Sequence, residues 1–189
     1  IAYLYGTLGT LNMAHLSERI AEAGQPPIIT AISIVFLLVF GTKAGLFLYH
    51  WLPRSYSSPP TVVAALFGAL LTKVGIYALI RTFTLLFYHE QQFTHKLIGI
   101  LAIITLIGGS IGAIAYNNIK QIVAYNVIIS VGFILIGLAV MTPEAMEGSI
   151  FYLIHDMLVK ALLFLVIGTV AYLTGTAQIS RMSGLIKNY

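Results

Sequence analysis

Five stretches are apolar for long enough to cross a bilayer: Ile28 to Leu52, Thr61 to Tyr88, Leu97 to Tyr116, Ile122 to Met141 and Ser149 to Leu173. About 30 Å of hydrocarbon takes roughly 20 helical residues, so each stretch predicts one transmembrane helix. Ahead of them, Ile1 to Leu11 reads as the tail of a preceding span and SERIAEA as a short surface helix. PRSYSSPP, YHEQQFTHK and MTPEAMEG are polar connections rich in turn formers. The third and fourth spans meet at YNNIKQ, a turn short enough to make them antiparallel neighbours. The pattern predicts an all-α integral membrane protein, one transmembrane domain over residues 1–189.

Composition agrees: 59% of residues are hydrophobic and only 8% charged, outside the range of a soluble domain. The net charge of +4 is spread along the chain, several basic residues lying inside apolar spans, so no nucleic-acid groove is expected. There is no cysteine, and none of the five histidines pairs at i, i+4, so neither a metal nor another cofactor is expected. Ile1 opens the chain without a basic n-region, so no signal peptide is expected there and the chain reads as a piece beginning mid-helix.

Loop charge predicts orientation. One side carries Arg54, Lys120, Arg181 and Lys187 without an acid; the other carries Arg19 and Lys96 among Glu18, Glu22, Glu90, Glu144 and Glu147. Segments 53–60, 117–121 and 174–189 are therefore expected in the cytoplasm, the protein being multi-pass in the cell membrane.

Three lysines break the apolar pattern: Lys43 in VFGTKAGLF, Lys73 in GALLTKVGIYAL and Lys160 in HDMLVKALLFLV. At mid-bilayer depth each costs roughly 2.5–3.5 kcal/mol on insertion scales, which points to an ion or proton path. Lys43 lies between Gly41 and Gly45, where an interrupted helix would turn carbonyls toward a cation. His50, two turns on, either extends that path or sits at the interface beside Trp51. Lys73 has apolar neighbours for two turns each way apart from Thr72, so it should face other helices or water. Asp156 and Lys160 stand at i, i+4 in the favourable order for a same-face ion pair, with His155 turned away toward a neighbouring helix. Asp156 is the only acid within the spans, against Lys43, Lys73, Arg81 and Lys160. So many cations for one anion in a low-dielectric interior implies neutral lysines or counter-ions from elsewhere. Static ion pairs in a non-conducting scaffold are the other reading of the same residues.

With FGTKAGLF, WLPRSYSSPPTVVAALFGALLTKVGIYALIR, NNIKQIVAYNVIISVGFILIG, FYLIHDMLVKALLFLVIG and SGLIKNY in view, the chain resembles the antiporter-like membrane subunits shared by Mrp-type cation/proton antiporters and respiratory NADH dehydrogenases. The resemblance implies an antiporter-like helix bundle, with five complete transmembrane helices and the end of a sixth taken from a larger inverted-repeat fold. It implies a discontinuous helix at Lys43. By resemblance, Lys43 is the principal proton-site lysine, Lys73 a connecting lysine, and His155 with Lys160 the central relay, Asp156 pairing with Lys160. Where many respiratory homologues carry a histidine, this chain has Ser130, which can hold a water but cannot titrate. The implied function is proton translocation in a multisubunit Na+/H+ antiporter, a transporter and not an enzyme, working with other membrane subunits, H+, Na+ and lipid. The alternative is the proton-pumping membrane arm of an NADH:quinone oxidoreductase or related hydrogenase complex.

Overall fold

The computed structural model describes residues 1–24 and 26–182. SGLIKNY, with Lys187, lies outside them. The described residues are mostly helical, and several helix ends have a visible local cause. Helix α1 (Ala2–Leu8) stops at Gly9, whose N–H bonds back to Tyr5. Asn12 caps α2 (Met13–Ala23) by accepting from the Ala14 N–H, and this amphipathic helix buries Leu16 and Ile20. Pro26 and Pro27 open α3 (Pro27–Ala44).

The apolar run from Ile28 to Leu52 is not one helix. It stops at Ala44, because Gly45 takes a left-handed conformation with φ 83°. The Gly45 N–H reaches the Thr42 carbonyl at 3.3 Å and the Leu46 N–H the Gly41 carbonyl at 2.8 Å, the paired bonds of a Schellman cap. The chain then runs irregularly past Phe47, whose N–H is held by Thr105 Oγ1 at 2.7 Å, into the short helix α4 (Leu52–Ser57). Hydropathy cannot mark this break, since leucine and phenylalanine occupy both sides of it.

The next span runs unbroken from Thr61 to Leu85 but changes geometry within itself: α5 (Thr61–Leu66), a π-helical turn (Phe67–Leu71) and α6 (Thr72–Leu85). Helices α7 (Gln91–Ala115), α8 (Ile119–Val140) and α9 (Pro143–Thr174) complete five helices long and apolar enough to span a membrane. Asn118 and Thr142 cap α8 and α9 by accepting from Lys120 and Ala145 N–H groups.

Helix α8 is the most enclosed of the five, packed between α7 and α9. Small residues permit the closest approaches, the general solution where lipid removes any hydrophobic gain from helix association. A Cβ at Gly75 of α6 would come within 2.6 Å of the Ala44 nitrogen of α3. One core joins Leu37, Ile76, Phe83, Ala102 and Leu135; a second, nearer α4, joins Leu52, Tyr56, Ala64, Val127 and Phe164.

Connections gather at two ends, as alternating spans require. At one end the α7–α8 turn pairs with the segment after α9: Ile119 N–H to Ala177 O and Ile179 N–H to Asn117 O, both 3.0 Å, with Asn117 Nδ2 to Ser180 Oγ at 2.8 Å. At the other end Thr30 Oγ1 meets Glu90 Oε2 at 2.7 Å, and Ser17 Oγ donates to the Leu85 carbonyl at 3.1 Å.

Candidate functional site

The π-helical turn prepares the centre of the molecule. Within it the helical bonding register slips by one residue, and the carbonyl of Gly68 accepts a bond from Lys73 Nζ at 3.0 Å. A lysine on a helix leans toward the N-terminus, which carries this ammonium back over the irregular turn. Gly68 also makes room for the Phe164 ring of α9, which a Cβ would overlap. The irregularity therefore provides both an acceptor and a close seat for α9.

From α9, Asp156 bridges two cations. Its Oδ2 lies 2.7 Å from Lys73 Nζ and its Oδ1 lies 3.2 Å from Lys160 Nζ. The three side chains are 3%, 2% and 6% exposed for Lys73, Asp156 and Lys160, so the ion pairs are shielded from water. Lys160 also bonds Asn126 Oδ1 of α8. Ser130, one turn further along α8, is buried and donates to the Asn126 carbonyl at 2.9 Å. Asn126 itself is largely exposed, so the cluster ends near the outer face of α8. Fully ionised, the triad sums to one positive charge. Loss of one proton from either ammonium makes it neutral, and the carboxylate keeps one charged partner in either state.

The residue before Lys73, Thr72, belongs to a pair of neutral polar groups. Tyr56 of α4 is wholly buried, and its phenol oxygen faces the hydroxyl and backbone N–H of Thr72, the residue before Lys73. Thr72 is wholly buried too, and neither side-chain oxygen closes a hydrogen bond of normal geometry. Burial pushes the Tyr56 phenol well above its ordinary pKa, so it stays a neutral hydroxyl, both donor and acceptor.

The residues singled out from sequence fall into two groups. Lys73, Asp156 and Lys160 come together. Lys43 and His155 do not join them. Lys43 is exposed in the last turn of α3, just before the Schellman cap. His155 is exposed on α9, its ring 6.0 Å from that of Tyr152. His50 and Arg81 are exposed as well. Sequence reasoning missed Asn126, Tyr56 and the Gly68 carbonyl. An amide within IVAYNVIISV was a usable signal, because such a group in an apolar helix seeks a partner. Tyr56 stands in a segment that reads as a surface loop, and nothing in FGALL marks a π-helical turn.

The family model described as NADH:quinone oxidoreductase/Mrp antiporter, TM matches residues 1–189. The D subunit of the Na+/H+ antiporter of Bacillus subtilis is 56% identical over 190 residues, covering all of this chain and 38% of that protein. Its namesake from Alkalihalophilus pseudofirmus is 48% identical with the same coverage. The chain thus spans about two fifths of the length of these curated relatives. Among solved structures, a chain of the Mrp complex from Dietzia sp. DQ12-45-1b aligns with a TM-score of 0.82 at 31% identity, over 89% of this chain and 31% of that one. A chain of the membrane-bound sulfane sulfur reductase, an archaeal respiratory membrane complex, aligns with a TM-score of 0.91 at 30% identity, over 98% of this chain and 38% of that one.

Proposed function

Because the chain belongs to the membrane family described as NADH:quinone oxidoreductase/Mrp antiporter, we propose that it is the proton-translocating part of a D-type subunit in a multisubunit Na+/H+ antiporter. The observation that carries this reading is the buried Lys73–Asp156–Lys160 triad, with two ammonium groups for one carboxylate. A proton leaving one lysine relieves an excess charge, and a proton returning restores a charge-assisted bond. The triad is a station that loads and unloads without passing through an unpaired carboxylate. Lys43 and His155 extend the relay on faces that other helices or subunits cover, since a titratable group on a spanning helix is costly against lipid. The protein sits in the cell membrane with segments 53–60, 117–121 and 174–189 in the cytoplasm, and exchanges H+ for Na+ together with its partner subunits.

The test is Lys73→Ala in the full-length protein within its complex, with Na+-driven proton movement followed in membrane vesicles. The expected loss is about 100-fold, the low end of what a positioned proton-transfer group contributes. Exchange at the wild-type rate in a complex that assembles normally would sink the assignment. The likeness to a chain of a respiratory membrane complex favours a second reading, a redox-driven pump using the same triad. Vesicles given an Na+ gradient and no reductant separate the two, since only the antiporter moves protons there.

A further inference from the structure

A cavity beside Tyr56 leads to one end of the bundle. A small void of about 10 Å³, room for a single water, is lined by Tyr56, Thr61, Ala64, Phe164, Gly168 and Lys120. A wider groove of about 330 Å³ shares Thr61, Lys120 and Gly168 with it and opens past Gly175 and Thr176. This is the end where the α7–α8 turn meets the segment after α9. Going inward the sequence of groups is the groove, the small void, the Tyr56 phenol, the Thr72 hydroxyl, and then Lys73 on Asp156. The groove and the void share lining residues, Tyr56 lines the void and faces Thr72, and Thr72 precedes Lys73 in the chain.

Chemistry and packing both favour traffic of protons along this line. Buried hydroxyls are normally hydrogen-bonded, so the unpartnered Tyr56 and Thr72 hydroxyls, with Tyr56 on the wall of a water-sized void, are placed to be bridged by a water into a hydrogen-bond chain. Aromatic rings pack around Tyr56, Phe67 at 6.1 Å, Phe164 at 6.2 Å and Trp51 at 6.5 Å, and hold its ring in place. Gly168 keeps the junction of void and groove open, because a Cβ at that position would overlap the Thr61 side chain. Among the described residues no acidic side chain lies at this end: Glu18, Glu22, Glu90, Glu144 and Glu147 all lie in or beside the connections of the other end. Tyr56 need not ionise to serve, since a neutral hydroxyl accepts a proton on one side as it gives one up on the other.

We propose that Tyr56 and Thr72 form a hydroxyl gate through which protons pass between the groove at Lys120 and the Lys73–Asp156–Lys160 triad. The proposal rests on the proton-translocating reading above. It assigns to Tyr56 a role in transport that its loop-like sequence context gives no reason to expect. Tyr56→Phe keeps the ring and removes the hydroxyl, and Thr72→Val is the matching change on the other side. In vesicles holding the full-length protein in its complex, each should lower Na+-driven proton movement by about tenfold, less than a lysine of the triad because water can bridge part of the gap. The double variant should fall no further than the slower single one, as expected of two groups in one path. A solvent deuterium isotope effect larger than wild type should accompany the loss, a change that loosened packing would not produce. Gly168→Ala, which narrows the junction without touching either hydroxyl, should also slow transport.

Tyr56→Phe at the wild-type rate with an unchanged isotope effect would overturn the gate. Slow transport with an unchanged isotope effect would overturn it too, leaving Tyr56 a packing residue. If Lys73→Ala abolishes transport while Tyr56→Phe does not, the gate fails and the triad stands. If Lys73→Ala is itself neutral, the triad reading fails first.

Discussion

Two lysines of this chain sit beside irregular helical backbone, and they meet opposite fates. Lys73 follows a π-helical turn in a helix that continues, and its ammonium is enclosed between the Gly68 carbonyl and Asp156. Lys43 precedes a Schellman cap in a helix that stops, and it makes no ion pair among the described residues. At Lys73 the irregularity hands a carbonyl to the side chain. At Lys43 the freed carbonyls of Gly41 and Thr42 are taken by the N–H groups of Leu46 and Gly45, and the ammonium closes no bond to them. What encloses a lysine in an apolar helix is therefore a carboxylate on a neighbouring helix, with the backbone as a second partner. The irregularity alone does not suffice.

Asp156→Asn tests this most severely. It leaves two ammonium groups facing a neutral amide in a buried site, and losing one partner of a buried ion pair costs about 3–5 kcal/mol. Thermal unfolding of the full-length protein in detergent should show a stability loss of that order, with transport abolished. Wild-type stability would mean that the lysines are held by something other than Asp156, and the contrast between the two regions would lose its cause.

The helical membrane class was legible in the sequence because long apolar runs leave few alternatives in a bilayer. The Asp156–Lys160 pair was legible for a similar reason: i, i+4 spacing places both on one face of any helix. The partnership of Lys73 with Asp156 was not, since it depends on how α6 and α9 cross, and 83 positions of chain separate the two residues with no local rule to link them. Lys43 and His155 satisfied the same energetic criterion as Lys73, a polar group in an apolar span, yet lie on outward faces. Hydropathy registers depth in the membrane, not the side of the helix that finds a partner. The π-helical turn was invisible because it changes bonding register without changing residue type.

A change of intermediate size addresses the stopped helix. Gly45 adopts φ 83°, a conformation costing an L-residue about 1–2 kcal/mol, and a Cβ there would come within 2.9 Å of the Leu52 side chain. Gly45→Ala should lower stability by about that much and slow transport, as α4, with Tyr56, is displaced from the core it shares with Phe164. Amide hydrogen exchange at Leu46, whose N–H closes the cap, should rise in the same variant. Unchanged exchange there would show that the chain restores the cap in spite of the side chain.

The smallest effect on stability is expected from Lys43→Ala, and it separates the two regions most sharply. Lys43 occupies the last turn of α3, where a cation gains about 0.3–1 kcal/mol from the helix dipole. Its removal should therefore cost about 1 kcal/mol, well short of Asp156→Asn, while transport should be lost if Lys43 is the relay station proposed above. The pairing of small stability loss with large transport loss is what a lysine held for function, and not for packing, should show. If Lys43→Ala instead destabilises the full-length protein as much as Asp156→Asn, an acid from another part of the protein encloses Lys43 as Asp156 encloses Lys73. The two regions would then be the same device, with one of its halves supplied by chain outside these residues.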